Sequence, residues 1–279
     1  MTHVIITGGS SGIGLAVASI YAARSRVSLV ARSADLLEKA AQKLVAEHGL
    51  EAGAVRIEAA DVSKGEEIEA AVFRCVDAFG PCDVLVTSAG VVEPAPFEAM
   101  QGSAFHRQME TNFSGTVHAV RAVYPDMKNR PRHILMVSSG AGLIGIYGYT
   151  AYCASKFALN GFARRCAANA RPQCRHFDLL SPDTETPQFK RELAARPVEA
   201  SVIMGTVRPW TAEAVARKIV KGIDRRRFEI YFGAALYLLP LRAGGQAFPQ
   251  LVVRPGDRAQ QWTVTAAPAA MLVPANIRL

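Results

Sequence analysis

The sequence predicts an α/β protein built on a doubly wound parallel β-sheet, and three observations support this prediction. Short apolar runs alternate along the chain with amphipathic segments of helical length. The apolar runs are continuous rather than interrupted by polar residues, which indicates that both faces of the sheet are covered. A glycine-rich stretch, "TGGSSGIG", stands between the first run and the first amphipathic segment. In such a sheet the ligand lies beyond the carboxyl ends of the strands, so we expect the site there.

The predicted elements follow one another in a regular order. Six apolar runs are predicted to be strands: "HVIIT", "VSLVA", "VRIEAA", "DVLVT", "RHILMVS" and, late in the chain, "RFEIYF". Five amphipathic segments are predicted to be helices: Gly12–Arg24, Ala34–His48, Glu66–Phe79, Phe105–Met127 and Ala151–Ala170. This alternation favours one sheet with helices on both faces.

The length of 279 residues is enough to bury a full core within one domain. We expect that domain to cover residues 1–235, with a substrate loop at about 181–210. The tail from Gly244 to Leu279 is rich in Pro, Gly, Ala and Gln and shows no sustained periodicity. Residues 236–279 are therefore predicted to be a C-terminal extension that packs irregularly, swaps between subunits or stays disordered.

The N-terminus and the cysteines indicate a reducing compartment. The chain opens with "HVIITGG" directly after Met1-Thr2, without the basic region, long apolar run or cleavage site of a secretory signal. The apolar run "GAALYLLPL" is too short to span a bilayer and contains Pro240. Five cysteines, an odd number, lack the paired spacing of zinc or disulfide sites. We expect reduced thiols, no metal site and a cytoplasmic protein.

Charge is distributed unevenly between the two parts of the chain. Residues 1–160 carry 14 basic and 15 acidic side chains, whereas residues 161–279 carry 18 and 9. The basic second part suggests an anionic partner, either a phosphate-bearing ligand or a membrane surface. Nucleic acid is disfavoured, because the basic residues are scattered and no aromatic residues interleave them as a stacking platform requires.

The stretch "TGGSSGIG", Thr7–Gly14, has the properties of a phosphate-binding turn. Gly8 permits the tight turn, Gly12 lets the backbone approach a pyrophosphate, and Gly14 allows close packing of helix on sheet. The following helix N-terminus supplies oriented N–H donors. A glycine-rich turn alone is weak evidence, but the strand before it and the helix after it favour dinucleotide binding. The residues predicted to contact the dinucleotide here are Gly8, Ser10, Ser11, Gly12, Ile13 and Gly14.

This glycine spacing resembles that of the short-chain dehydrogenase/reductase family, and the resemblance implies a Rossmann-type fold. The second strand ends "LVAR", with Ala31 and Arg32 where an enzyme that uses NAD would offer an acid to the ribose. Because arginine pairs bidentately with a 2′-phosphate, we expect NADPH/NADP+ as the cofactor. Asp61, followed by Val62, resembles the family's adenine-contacting aspartate, although a role as helix N-cap is an alternative.

The predicted reacting centre combines four side chains. Tyr152 and Lys156 in "YCASK" lie four residues apart, on one helix face. A phenol needs its anion stabilised to act as an acid at neutral pH, and a neighbouring ammonium lowers its pKa. By resemblance, Ser139 in "MVSSG" binds the substrate carbonyl, Tyr152 gives it a proton, and Asn112 in "METNFSG" carries a proton-relay water. A helix cap or kink is the alternative for Asn112.

Two further loops resemble cofactor contacts of the family. "TSAG" replaces the usual "NNAG" after the fourth strand, where Ala89 and Gly90 keep the backbone close to the cofactor. The family's "PGxxxT" turn, which holds the nicotinamide carboxamide, is here "SPDTETPQF", starting at Ser181. The resemblance implies that Pro182, Thr184 and Thr186 contact the cofactor. The acids of this stretch have no assigned role.

Within the family, four stretches resemble the 3-ketodihydrosphingosine reductases: "TGGSSGIG", "SLVARSADLLEKA", "SSGAGLIGIYGYTAYCASKFAL" and the "SPDTETPQF" loop. The resemblance covers roughly residues 3–235 and implies reduction of the 3-keto group of a long-chain keto-lipid. A lipid substrate needs an apolar channel and access from a membrane, for which "SVIMG" and "ALYLLPL" are candidates. An equally good interpretation is that "ALYLLPL" packs on the sheet and has no part in lipid binding.

One stretch departs from the expected pattern. Between Ala163 and Phe177 the sequence reads "ARRCAANARPQCRHF", where a helix and a buried sixth strand are expected. Polar or charged residues stand at positions that belong to apolar ones, and unpaired buried charges are costly; they are Cys174, Arg175, His176 and Asp178. Only "FDLL" keeps strand character. A short out-of-frame segment in the coding sequence is one hypothesis, which resequencing the gene decides.

The leading hypothesis is therefore an NADPH-dependent carbonyl reductase of sphingolipid synthesis, at most peripheral on a membrane and assembled as a homodimer or homotetramer. The family commonly pairs through helices that correspond to Phe105–Met127 and Ala151–Ala170. An enzyme acting on another lipid-like ketone, such as a 3-ketoacyl thioester or a steroid, is the first alternative. A catalytically silent NADP-binding regulatory module is the second.

Overall fold

A parallel sheet forms the centre of the fold. The computed structural model describes residues 2–127, 132–169, 174–204, 208–227, 229–232, 251–255 and 262–266, with the side chains of 167–181, 202–203 and the last two ranges excepted. The strands are β1 His3–Thr7, β2 Arg26–Ala31, β3 Val55–Ala59, β4 Val84–Thr87, β5 Arg132–Ser139, β6 Cys174–Ser181, β7 Thr184–Glu185, β8 Trp210–Thr211, β9 Glu229–Tyr231, β10 Leu251–Pro255 and β11 Trp262–Ala266.

The main sheet has the strand order β3-β2-β1-β4-β5-β6-β9, and all its pairings are parallel. The order reverses direction at β1 and β4, and a ligand crevice is expected at such a switch point. β7 and β8 form a separate parallel pair, and β10 and β11 an antiparallel one.

Helices pack on both faces of the sheet. They are α1 Gly12–Ala22, α2 Ala34–His48, α3 Gly65–Phe79, α4 Gly102–Met109, α5 Gly115–Met127, α6 Thr150–Asn169, α7 Pro187–Ala195, α8 Val198–Met204 and α9 Ala212–Asp224. Short 3₁₀ turns at Phe97–Ala99 and Gly140–Gly142 and a π-helical turn at Glu110–Ser114 complete the regular structure of the described residues.

The central strands bury side chains on both faces. Val4 and Ile6 lie in the core that α1, α2 and α9 cover, whereas Ile5 lies in the opposite core, under α3 and α5. Since successive side chains of a strand point to opposite faces, both parities must be apolar. This arrangement explains why the apolar runs of the sequence are continuous.

The helix predicted over Phe105–Met127 is divided in the structure. α4 ends at Met109, and the chain passes through the π-helical turn before α5 begins at Gly115. At this turn the Asn112 side chain bonds the backbone of Val91, with its Oδ1 accepting from Val91 N at 2.7 Å and its Nδ2 donating to Val91 O at 2.9 Å. A π-helical turn inside a helix often marks a functional site.

β6 extends further than the sequence predicts. It pairs with β5 along its whole length, from Cys174 opposite Arg132 to Ser181 opposite Ser139, and also with β9. The strand therefore begins three residues before "FDLL" and occupies an interior position in the sheet. The side chains of Arg175, His176 and Asp178, on which the expectation of a poor strand depended, lie outside the described ones.

Part of the predicted C-terminal extension lies within the described residues. β10 and β11 give the predicted extension a two-stranded hairpin, which its sequence pattern did not predict; the rest of it, with "ALYLLPL", lies outside the described residues. Division of the chain at residue 235 stays a prediction.

No helix in the described ranges is both long and apolar enough to cross a membrane. Cys75, Cys82 and Cys153 are buried free thiols, and Cys166 is a half-buried one.

Candidate active site

A cavity of about 950 Å³ opens at the carboxyl ends of the central strands. Most of the predicted site residues line it, in agreement with the position expected for a doubly wound sheet; they are Gly8, Ser10, Ser11, Gly12, Ile13, Arg32, Val62, Ala89, Gly90, Ser139, Tyr152, Lys156, Pro182, Thr184 and Thr186. Gly14, Asp61 and Asn112 lie behind this surface.

The glycines after β1 hold a backbone path that side chains would obstruct. Gly8 has a φ of 72° and Gly12 a φ of 56°, in the left-handed region. A Cβ on Gly8 would stand 2.6 Å from Ala89 N, and one on Gly14 would clash with the carbonyl oxygen of Gly8. The loop is therefore packed to leave bare backbone facing the cavity.

The N-terminus of α1 leaves its first N–H groups without a side-chain cap. Ser11 occupies the N-cap position in extended conformation, yet its hydroxyl makes no capping bond, and the first turn contains no acid. Ser33, Thr186 and Thr211, by contrast, cap α2, α7 and α9 through their hydroxyls. Free N–H groups at the positive end of a helix dipole fit a pyrophosphate.

Arg32 and Asp61, which are predicted to contact the adenosine end of the cofactor, have different surroundings in the structure. Arg32 is exposed just after β2 and lines the cavity, and its contact with a 2′-phosphate stays a prediction. The Asp61 Oδ1 accepts hydrogen bonds from Ser63 N and Ser63 Oγ, both at 2.9 Å, and its contact with adenine stays a prediction too. Asp61 thus closes a local turn, close to the alternative considered for it, and its neighbour Val62 faces the cavity.

Tyr152 and Lys156 lie on one turn of α6, as their spacing predicts. The Lys156 Nζ lies 5.6 Å from the centre of the Tyr152 ring and donates to the Val137 carbonyl at 2.9 Å. The Ser139 hydroxyl acts on the Tyr152 phenol, whose pKa it lowers. The Ser139 hydroxyl also accepts from Ala141 N at 3.2 Å, which positions it at the end of β5.

Burial raises the pKa of the Tyr152 phenol well above its ordinary value, while the Ser139 side chain lowers it by a smaller amount. This direction differs from the predicted lowering by Lys156, because removal of the phenol from water penalises its anion more than its neighbours stabilise it. The phenol is therefore protonated at neutral pH. A protonated phenol is the form that a proton donor requires.

Asn112 is buried behind the cavity rather than in its wall. Its Nδ2 donates to Ser155 Oγ at 3.0 Å, in addition to its bonds with Val91. A Cβ on Gly90 would stand 3.3 Å from the Asn112 Oδ1 and 4.0 Å from the Lys156 Nζ, which places the three residues side by side. The side chain thus fixes the turn after β4 against α6.

The stretch "SPDTETPQF" forms one wall of the cavity. Its threonine hydroxyls bond locally: Thr184 Oγ1 donates to Pro182 O at 2.8 Å, and Thr186 Oγ1 accepts from Phe189 N at 3.1 Å. A Cβ on Gly12 would stand 3.1 Å from the Thr186 methyl carbon. Thr186 therefore starts α7 and also covers the glycine loop.

Sequence reasoning missed a polar cluster in the same wall. Tyr149, Asp183 and Glu192 line the cavity, and the Arg196 guanidinium lies behind them with its side chain 3% exposed. Two spacings carried a signal: Tyr149 lies three residues before Tyr152, and Glu192 lies four before Arg196, so each pair shares a helix face or its edge.

Apolar side chains form much of the remaining wall. The ring of Trp210 meets that of Phe232 edge to face at 5.2 Å between centroids. Other apolar groups converge on the side of the cavity that holds the tyrosines and α7; they are Ile144, Ile146, Phe189 and Met204. The site thus joins a polar, backbone-rich end to an apolar end.

The chain belongs to the short chain dehydrogenase family, which residues 2–192 match. It is similar to the 3-ketodihydrosphingosine reductase of Bos taurus, with 36% identity over 250 residues, 88% of this chain and 75% of the relative. The 3-dehydrosphinganine reductase of Danio rerio is 36% identical over 241 residues, 85% of this chain and 73% of the relative. These likenesses confirm the resemblance that the motifs indicated.

A solved structure also resembles the fold. The alcohol dehydrogenase of the archaeon Thermococcus sibiricus, complexed with 5-hydroxy-NADP, has a TM-score of 0.72 and 26% identity. The match covers 83% of this chain and 96% of that protein. The predicted Rossmann-type doubly wound sheet is therefore confirmed.

Proposed function

We propose that the protein reduces a ketone to a secondary alcohol with NADPH, and that the ketone is the 3-keto group of 3-ketodihydrosphingosine. The observation that carries the proposal is the convergence of Ser139, Tyr152 and Lys156 with the glycine loop on one cavity. The relatives that act on this substrate match most of the chain. Each residue alone would more often be structural, but a nucleotide cradle beside a proton donor defines a reaction class.

The residues present fit NADPH. The bare backbone of Gly8 and Gly12 and the uncapped start of α1 suit the pyrophosphate, and Arg32 suits the 2′-phosphate. Ala89 and Gly90 allow close approach after β4. When bound, NADPH supplies a hydride to the carbonyl carbon of the substrate.

The chain's own residues handle the proton. Ser139 holds the substrate carbonyl oxygen and Tyr152 donates its phenolic proton to that oxygen. The Lys156 ammonium, 5.6 Å from the Tyr152 ring, stabilises the phenolate that remains. In this proposal Asn112 holds the relay water through its backbone carbonyl, since its side-chain amide bonds Val91 and Ser155.

Two other functions compete with this proposal. A reductase of another lipid-like ketone would use the same residues, and the apolar wall alone does not distinguish it. A silent NADP-binding module has no need of a protonated phenol that lines the same cavity as Ser139 and Lys156. The catalytic reading is therefore preferred over the binding module.

The replacement of Tyr152 by Phe tests the catalytic reading. We expect kcat for 3-ketodihydrosphingosine to fall at least ~100-fold, the usual contribution of a positioned proton donor. The dissociation constant for NADPH, measured by nucleotide fluorescence, should change little because the ring stays in place. The exposed Tyr147, which does not line the cavity among the described residues, provides the control variant Tyr147→Phe with unchanged kcat.

A wild-type protein that binds NADPH but reduces no ketone would favour the regulatory module. A panel of sphingoid, acyl-thioester and steroid ketones, assayed side by side with NADPH, separates the two enzymatic readings. Faster reduction of an acyl thioester or steroid would transfer the proposal to that substrate.

The proposal also covers the location of the protein in the cell and its oligomeric state. A substrate with a long tail arrives from a membrane, so we propose a cytoplasmic protein that touches the membrane surface peripherally. A homodimer or homotetramer built through α5 and α6 is the proposed assembly. Phe157, on α6 with 38% of its surface exposed, supports this face as an interface.

A further inference from the structure

The polar cluster of Tyr149, Asp183, Glu192 and Arg196 in the cavity wall has no part in the chemistry described so far. Arg196 Nε donates to the Tyr149 hydroxyl at 3.0 Å, and Arg196 Nη2 donates to Glu192 Oε1 at 2.6 Å. The Tyr149 hydroxyl in turn donates to the same Glu192 oxygen at 2.7 Å. One Glu192 oxygen, Oε1, therefore accepts two short hydrogen bonds.

Asp183 is engaged much less. Its carboxylate accepts a hydrogen bond from Arg196 Nη2 at 3.4 Å, which is longer than an ordinary charge-assisted bond. Within the described part of the chain, this is the one hydrogen bond that the carboxylate accepts. The Asp183 side chain is 23% exposed, against 11% for Glu192 and 3% for Arg196. The less satisfied carboxylate is thus also the more open to the cavity.

The cluster carries an excess of negative charge. Two carboxylates share one guanidinium, so one negative charge is left over in a partly buried place. Burial raises the pKa of Asp183, which indicates that Arg196 does not fully compensate its loss of water. A cation bound from the cavity would supply the missing compensation.

The excess charge lies beside the proton donor. The rings of Tyr149 and Tyr152 meet edge to face with centroids 6.3 Å apart. Both Glu192 and Asp183 raise the pKa of Tyr152 through their charge, so they lie within electrostatic range of it. A ligand whose carbonyl oxygen meets Tyr152 would therefore bring groups near that carbonyl within range of Asp183.

We propose that Asp183, supported by Glu192, binds the ammonium group of a 2-amino-3-keto substrate and selects such amino ketones over ketones without the charge. This assignment rests on the proposed function. In 3-ketodihydrosphingosine the amino-bearing carbon is bonded directly to the ketone carbon, so the cation enters the site beside the reacting carbonyl. Arg196 holds Glu192 and keeps the two acids from repelling each other.

The test compares Asp183→Asn with a matched control, Glu185→Gln. Glu185 is an exposed acid two residues further on that does not line the cavity among the described residues. Two ketones are assayed with NADPH: 3-ketodihydrosphingosine and 1-hydroxyoctadecan-3-one, which has the same skeleton without the amine. Differences in intrinsic reactivity cancel when each variant is compared with the wild type on the same ketone.

Asp183→Asn should lower kcat/KM for the amino ketone about 10-fold, the effect of losing one charge-assisted hydrogen bond. Its kcat/KM for the amine-free ketone should stay within a factor of two, which also shows that the variant folds. Glu185→Gln should change neither value. Glu192→Gln, which keeps an oxygen to accept from Tyr149 and Arg196, should repeat the selective loss.

Equal losses on both ketones, or no loss on the amino ketone, would overturn the role of Asp183 while the proposed function stands. A wild type that reduces both ketones equally well would overturn it too. A wild type that reduces neither ketone overturns the proposed function together with this assignment.

Discussion

Several side chains of the site hold the fold as well as the chemistry. Lys156 satisfies the Val137 carbonyl at 2.9 Å, and Asn112 satisfies both backbone groups of Val91. Removal of either side chain would leave buried polar groups unpaired, at a cost of about 1–3 kcal/mol each. The Tyr152 hydroxyl, by contrast, makes no hydrogen bond to a backbone group of the described residues, and its ring stays in place in the Phe variant. Loss of the Tyr152 hydroxyl is therefore the substitution that best separates catalysis from stability.

Arg32 is predicted to decide between the two nicotinamide cofactors. Arg32→Ala should raise KM for NADPH by roughly 10- to 100-fold, because hydrogen bonds to a charged group contribute about 1.5–3 kcal/mol. KM for NADH should stay almost unchanged, since NADH lacks the 2′-phosphate. Steady-state kinetics with both cofactors measure the two values.

Arg26 offers a matched control at the other end of the same strand. It is exposed at the start of β2, where its guanidinium lies 5.7 Å from the centre of the Phe79 ring. Arg26→Ala should leave KM for both cofactors unchanged. A similar rise in KM for NADPH and NADH in Arg32→Ala would exclude recognition of the 2′-phosphate by this residue.

At the scale of elements, two helical glycines are expected to respond in opposite ways to alanine. Gly161 lies exposed in α6 with open space where a Cβ would stand, so Gly161→Ala should stabilise the fold by up to about 1 kcal/mol through helix propensity. A Cβ on Gly14 in α1 would meet the Gly8 carbonyl, so Gly14→Ala should destabilise by about 1–3 kcal/mol.

Thermal unfolding followed by circular dichroism measures whether each substitution raises or lowers the stability of the fold. Gly161→Ala should raise Tm and keep NADPH binding, whereas Gly14→Ala should lower Tm and weaken NADPH binding. A Gly14→Ala protein with wild-type Tm and wild-type NADPH affinity would contradict the close packing of the glycine loop.

The sequence predicted the first five strands from their apolar runs and the helices between them from their length and apolar spacing, although the helix predicted over Phe105–Met127 is divided in the structure. The apolar residues of α9 also recur at helical spacing in the sequence, but no motif accompanies them and the helix was not predicted. The buried ones include Val215, Ala216, Ile219 and Ile223. At Asn112 the sequence indicated a helix cap or kink as one alternative, but not the π-helical turn itself, where the Asn112 side chain bonds Val91, which is distant in sequence. β6 depends in the same way on pairing with β5.

The candidate site was predictable where its residues follow a motif. Asp183 lies in the "SPDTETPQF" stretch, which assigns it no role, and Glu192 follows no motif; they matter because α7 brings Glu192 to Tyr149, directly before α6. For Asp61 the motif predicts an adenine contact, which stays a prediction, and it did not indicate the two hydrogen bonds that Ser63 donates to the carboxylate. Local spacing therefore indicates the reaction class, and tertiary contacts decide the substrate-facing wall.

At the scale of the whole molecule, the cavity joins a phosphate-binding end to an apolar end, which suits a cofactor and a lipid placed in line. Removal of four methylenes from the tail of the ketone should lower kcat/KM by roughly two orders of magnitude, at about 0.8 kcal/mol per buried CH₂. A series of 3-keto sphingoid bases of decreasing length, assayed at fixed NADPH, measures this slope.

KM for NADPH should stay constant along the series, because the tail lies away from the glycine loop. A flat dependence of kcat/KM on tail length would contradict the lipid reading and would favour a short ketone substrate.

The segment that begins α7 touches both ends of this cavity. The Thr186 methyl covers Gly12 in the glycine loop, and Glu192, two helical turns later, reaches Tyr149 beside the reacting centre. The proposed cofactor and ketone sites thus share one short piece of chain. If a bound ketone changes the affinity for NADPH through this piece, bound NADPH must change the affinity for the ketone by the same factor, because thermodynamic coupling between two sites is reciprocal. The dissociation constants of both ligands, each measured with and without the other, therefore report a single coupling.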